Sequence, residues 1–296
     1  MVLETLFTAK TIHRHPLLMV LHAIIMSSIA MFIAYYVFRE NSSWLGIAFF
    51  TIGLIPLMET LLKHEEKKEA RHPGFAPTFL ARHFNILQAF AWIFIGLIIS
   101  YAFWYSVLPV EMEKNIFSAQ ESSLTQIGQL KSDLSGEGMF AAEESPCGRN
   151  AFCWFEAIAI NNASVLALAI ILSIVFGAGA IFLIAWNASI IGVVIGKDVL
   201  ALAASYTQFG LFNGLIAFSH GMFNALGLVP HGLFEASGYF IGAIAGAIIG
   251  IMITKRHYYR HEPGTIAKDA FLLVITAFAC IAIGAAIEAL VIVSSF

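Results

Sequence analysis

Residues 163–196 read ASVLALAIILSIVFGAGAIFLIAWNASIIGVVIG, an uncharged run of 34 positions between Asn162 and Lys197. A helix needs roughly 20 apolar residues to cross a hydrocarbon layer about 30 Å thick. This run is too long for one straight span, and Gly177, Gly179, Gly192 and Gly196 fall inside it. The spacing predicts either a strongly tilted helix or one that breaks and continues as a short second half. A break within a membrane frees backbone groups, which must then be buried in protein or line a cavity.

The chain around this run has the same character. It has 296 residues, of which 59% are apolar and 12% charged, with a net charge of −3 and a mean hydropathy of +0.82. Soluble domains carry about 25% charged residues, so there are too few charges here to cover a water-facing surface. Disorder and a disulfide-dense miniprotein are excluded on the same composition. No basic stripe suits nucleic acid. The fold class expected is all-α, a polytopic transmembrane helix bundle of about seven spans, with a broken or re-entrant helix among them. The apolar runs are Pro16–Phe38, Trp44–Leu62, Phe84–Leu108, Ala163–Trp186, Leu200–Phe218, Leu233–Thr254 and Ala270–Val293. The first lacks a small-residue cleavage site and reads as a retained helix rather than a signal peptide.

Basic loops resist translocation, so Lys and Arg set the orientation. Segments 1–16, 63–83 and 255–268, with Lys197, hold 12 of the 16 basic residues. Placing all of these in the cytoplasm leaves Arg39, Lys114, Lys131 and Arg149 outside. The N-terminus is then cytoplasmic and the C-terminus extracytoplasmic in a multi-pass cell-membrane protein, which agrees with an odd number of crossings. Three regions follow: a three-span N-terminal part (1–108), an extracytoplasmic loop (109–162) and a membrane core (163–296).

The loop is acidic and carries Ile116, Leu124, Ile127 and Leu130 at helix-compatible spacing before Ser135-Gly136. It predicts an exposed amphipathic helix, either as a solvated connector or as a docking surface for an extracellular partner. Ala151–Ile160 is apolar but too short to span, and is expected to lie along the outer interface. Cys147 and Cys153, with five residues between them, are either a short-loop disulfide or two free thiols. Cys280 reads as a packing residue.

Polar residues recur from 187 to 235: Asn187, Asn213, His220, Asn224, His231 and Glu235. Pro230 suits the first turn of a helix. His231 and Glu235 are four apart and share a helix face, as do His220 and Asn224. Ionisable groups in apolar spans are costly and are site candidates by default, which also brings in Glu59 and Glu288. Glu59 has a local explanation in an ion pair with Lys63. The polar intramembrane set is thus Asn187, His220, Asn224, His231, Glu235 and Glu288. Of these His231, Glu235 and His220 are candidate metal ligands, for a divalent ion such as zinc. The rival account makes His231 and Glu235 a hydrogen-bonded helix joint, and treats Asn162, Asn187, Asn213 and Asn224 as packing amides. Gly238, Gly242, Gly246 and Gly250 recur every four residues, a close-approach face for helix packing within the bundle or at a dimer interface.

Asn187 within Trp-Asn-Ala-Ser-Ile-Ile-Gly, the motif Pro230-His231-Gly232-Leu-Phe-Glu235, and a closing helix with Ile-Glu288-Ala together resemble the stage II sporulation protein M family. The resemblance covers roughly 150–296, and the first three spans and the loop more loosely. It implies an integral membrane protein that is not a known enzyme. Its sporulating bacterial members act as membrane scaffolds in a complex with peptidoglycan-degrading and partner proteins during engulfment.

Three functions are carried forward. The first is a non-enzymatic membrane component, with the lipid bilayer as its setting, acting through a membrane-complex partner or as a homo-oligomer. The second is a transporter or channel with a His231/Glu235 midplane site. The third is an intramembrane metal-dependent hydrolase, which needs a third ligand and a path for water.

Overall fold

The computed structural model describes residues 17–71, 79–135, 147–176, 179–205, 211–254 and 263–294. The described residues are almost entirely helical and contain no strand. The chain runs α1 (Leu17–Val37), α2 (Ser42–Arg71), α3 (Phe79–Val107), α4 (Val110–Ile116) and α5 (Ser118–Ser135). It continues through α6 (Ala151–Phe176), α7 (Ala180–Ala204), α8 (Leu211–Asn224), α9 (Val229–Thr254) and α10 (Pro263–Ser294). Seven of these helices, α1, α2, α3, α6, α7, α9 and α10, are long and apolar enough to cross a membrane. α1 begins at what is called here the basic end; α3 ends, and α4 and α5 lie, at the opposite, far end.

The seven spans divide the sequence differently from the hydropathy runs. The long run breaks between Phe176 and Ala180, so its halves belong to two helices, α6 and α7. Ala151–Ile160 is the first part of α6, not a separate interfacial segment, so the spanning core starts twelve residues before the expected 163. The Leu200–Phe218 span does not form. α7 stops at Ala204, and α8 has only 14 residues, too few to cross. α7 instead runs through Asn187 and past Lys197, whose ammonium donates to Glu121 Oε2 of α5 at 2.7 Å. Lys197 therefore sits at the far end and leaves the basic set, which becomes 11 of 16 residues.

Capping and packing chemistry explains the boundaries. Pro109 disfavours helical geometry at Leu108, and α4 starts anew with Met112 and Glu113 N–H donating to Pro109 O. Asn150 caps α6 by accepting from the N–H of Phe152 at 3.0 Å and of Cys153 at 3.3 Å. Cys147 and Cys153 form a disulfide there. Gly148 supplies the positive φ of 45° that this turn requires.

Two groups of helices pack side by side. α1, α2, α3 and α7 form one, with α8 leaning on α7; α6, α9 and α10 form the other. α1 and α3 run parallel, joined where Ser27 donates to Ser100 Oγ and Trp104 Nε1 donates to Ser28 Oγ, both at 2.8 Å. Trp44 of α2 stacks on Trp186 of α7 with ring centroids 4.2 Å apart. Phe240 of α9 joins the two groups through the rings of Phe90 and Phe94.

The expected exposed helix after α3 is an inserted cap. Ile116 and Phe117 are fully buried, Phe117 against the rings of Tyr101 and Tyr105. Gln120, also buried, donates to Ser189 Oγ of α7 at 3.1 Å. Glu121 accepts from Tyr105 Oη at 2.5 Å as well as from Lys197. Ser42 Oγ donates to Asn115 O and Arg39 pairs with Glu111. α4 and α5 are thus tied to α2, α3 and α7.

Candidate functional site, a polar joint inside the membrane core

α9 brings His231 and Glu235 to one face, one turn apart, as the spacing requires. What they face comes from two other helices. Asn162 of α6 is buried and its Nδ2 donates to Glu235 Oε1 at 2.8 Å. Asn161 Nδ2 in turn donates to Asn162 Oδ1 at 3.1 Å. On the other side, Gly284 of α10 lies against Glu235. A Cβ there would stand 2.8 Å from Glu235 Cγ and 3.2 Å from His231 O. Only glycine lets α10 approach this closely.

Glu288 lies one turn beyond Gly284 on α10 and is half-buried. Tyr239 lies one turn beyond Glu235 on α9 and is buried. His231 Nδ1 is buried and has no hydrogen-bond partner among the described residues. The centre therefore comprises His231 and Glu235 from α9, Asn162 from α6 and Gly284 from α10, with Tyr239 and Glu288 one turn away along their own helices.

The other expected members lie elsewhere. Asn187 donates to Leu183 O of its own helix at 2.8 Å, which satisfies it locally. His220 and Asn224 are exposed on α8. His220, His231 and Glu235 do not assemble as a ligand set. Among the described residues no three of His, Cys, Asp and Glu come together to hold a metal ion. The side chains of Glu59 and Lys63 lie outside the described residues.

The glycine face of α9 is occupied within the chain. Gly238 lies against Ala277 and Ile281 of α10. Gly242, Gly246 and Gly250 lie against Leu166, Ile170 and Ile174 of α6, residues on successive turns of a parallel neighbour. A Cβ on Gly246 would stand 2.5 Å from Ile170 O and 2.7 Å from Ser173 Cβ. The stripe sets the close α6–α9 approach that carries Asn162 to Glu235.

Two of these residues had weak signals in the sequence. Asn162 sat among amides assigned to packing, though adjacent amides in an apolar run, Asn161-Asn162, do mark a polar face. Tyr239 continues the His231, Glu235 spacing by a further four residues.

A family model described as Stage II sporulation protein M matches residues 89–291, from within α3 to the last turns of α10. The match takes in the cap and the whole polar centre, and so begins well before the 150–296 stretch that carried the motifs. No curated protein and no solved structure gives a match.

Proposed function

The chain belongs to the stage II sporulation protein M family, and from that premise we propose that it is a non-enzymatic membrane component acting through partners or self-association. One observation carries the reading: three pairs of buried polar groups join helices to one another. Asn162 to Glu235 ties α6 to α9, Ser27 to Ser100 ties α1 to α3, and Gln120 to Ser189 ties the cap to α7. Fixed joints of this kind suit a rigid platform better than a pathway that must bind and release a substrate.

A second reading has its own support. Among the described residues His231 Nδ1 has no partner and lies one turn from a carboxylate, and such groups serve proton or ion relays. Proteoliposome flux separates the two. With the chain reconstituted, proton, sodium and potassium flux is expected to match empty vesicles, and His231→Ala and Glu235→Gln to change nothing. Flux above background that Glu235→Gln abolishes replaces the platform with a transporter.

In this reading the N-terminus is cytoplasmic and the C-terminus extracytoplasmic. The 11 basic residues of segments 1–16, 63–83 and 255–268 favour that side for the basic end. The Cys147–Cys153 disulfide at the far end suits an oxidising compartment. In a Cys280→Ala background, Ser294→Cys should react with a membrane-impermeant maleimide on intact cells. Reaction only after permeabilisation would invert the orientation.

A further inference from the structure

The inserted cap leaves two buried polar atoms unmatched. Gln120 of α5 is 1% exposed and Tyr101 of α3 is 3% exposed. Ser189 of α7, fully buried, sets which way the Gln120 amide points. Its hydroxyl spends its one hydrogen on Trp186 O at 2.7 Å, so toward Gln120 it can only accept, and it does so from Nε2 at 3.1 Å. Gln120 Oε1 is thereby turned away as an acceptor. Among the described residues nothing donates to it, and Tyr101 Oη has no partner either.

Both atoms are enclosed by the same neighbours. Phe117, one turn before Gln120, packs edge-on against the Tyr101 ring with centroids 6.2 Å apart. Gly192, one turn after Ser189, lies against Tyr101: a Cβ there would stand 2.6 Å from Tyr101 Cβ. A second layer from the same three helices closes the socket on its far-end side. Tyr105 donates to Glu121, and Lys197 holds that carboxylate from α7. This rim meets water, with the Lys197 and Glu121 side chains 43% and 32% exposed. The floor does not.

We infer that the floor of the socket binds one water molecule, which accepts from Tyr101 Oη and donates to Gln120 Oε1. The two atoms are complementary in kind, one donor and one acceptor, but they do not bond each other. A bridge between them must accept at one end, donate at the other, and be small enough to lie among three packed helices. Water does all of this, and two polar partners are enough to hold it. A divalent cation asks for about six or more oxygens, and Glu121, the acid next in sequence, is engaged at the rim. Chloride would accept from Tyr101 but face the lone pairs of Gln120. Buried polar groups left unmet are costly, so the water completes the seat of the cap where side chains do not.

The site is independent of whether the chain acts as a platform or conducts ions, and its test reads neither. A crystal structure of the full-length chain grown in a lipid phase should show one water within about 2.7–3.2 Å of both atoms. A direct Tyr101–Gln120 bond, an ion between them, or no ordered atom there overturns the proposal. Hydrogen exchange in lipid nanodiscs separates a bound water from two unmet groups, because the two predict opposite signs. With the water in place, Tyr101→Phe removes a bond that seats the cap, and amide exchange over residues 118–126 of α5 should speed on the order of fivefold. In a Gln120→Met background the water is already lost, so Tyr101→Phe should add nothing. Exchange over α10, in the other helix group, should stay unchanged throughout. Unchanged or slower exchange in Tyr101→Phe means that its hydroxyl was unmet, and overturns the proposal. So does a full fivefold effect of Tyr101→Phe in the Gln120→Met background.

Discussion

Replacing Gly246 with leucine should destabilise the protein by about 3 kcal/mol, at the upper end of the range for overpacked interiors. The first added carbon alone would stand 2.5 Å from the Ile170 carbonyl oxygen and 2.7 Å from Ser173 Cβ. Neither is the free end of a flexible side chain, so α6 and α9 must move apart. Separation costs packing along both helices, because the same face also carries Gly242 and Gly250. It also draws Asn162 away from Glu235. Gly232→Ala is the control: nothing lies within 4 Å of its Cβ position, so helix propensity governs and the change should be neutral or stabilising by about 0.5–1 kcal/mol. Equilibrium unfolding in mixed micelles measures both. Equal effects at 246 and 232 would mean that the stripe carries no close contact.

Asn162→Leu should cost about 1–2 kcal/mol, the scale for taking the donor away from a hydrogen-bonded acceptor in the interior. Apolar burial favours leucine at this position, and the loss arises because Glu235 gives up the amide donor that links it to α6. Glu235→Gln keeps an acceptor oxygen at the same place and should cost under about 1 kcal/mol, the smaller scale of neutral hydrogen bonds in membranes. The order of the two, with the asparagine change larger, follows from which partner can be replaced in kind.

Helix class was legible because hydropathy alone carries it, and the total of seven agrees although one expected span, Leu200–Phe218, does not form and Ala180–Ala204 takes its place. Span boundaries were not legible, because most turn on a distant partner. Ala151–Ile160 looks isolated when Asn161-Asn162 is taken to end it. The helix continues because Glu235, 73 residues away from Asn162, satisfies that amide. Lys197-Asp198 looks like a cytoplasmic boundary, yet Lys197 is held by Glu121, 76 residues away, at the opposite end. Leu200–Phe218 reads as one apolar run, although Ser205, Thr207, Gln208 and Gly210 interrupt its sequence just after the stop at Ala204. The acidic stretch after α3 suggested an exposed helix, but Phe117 and Gln120 enter the bundle because Tyr101, Tyr105 and Ser189 form a socket for them.

The polar centre was half legible for a related reason. Spacing by four places two residues on one helix face, but it does not say which face points inward. His231 with Glu235 and His220 with Asn224 share that spacing. The first pair faces α6 and α10, while the second is exposed on a helix too short to cross. Gly284 was the missing cue: it admits α10 to Glu235, and only a tertiary contact gives it that meaning.

The claim beneath all of this is that the acid of α9 holds α6 in place. A double-mutant cycle on unfolding free energy, with Asn162→Ala, Glu235→Ala and both together, measures it without reference to any activity. The predicted coupling is about 1 kcal/mol favouring the native pair, within the range for hydrogen bonds between membrane helices. Additivity within about 0.3–0.5 kcal/mol, the behaviour of independent sites, would mean the two side chains do not hold each other.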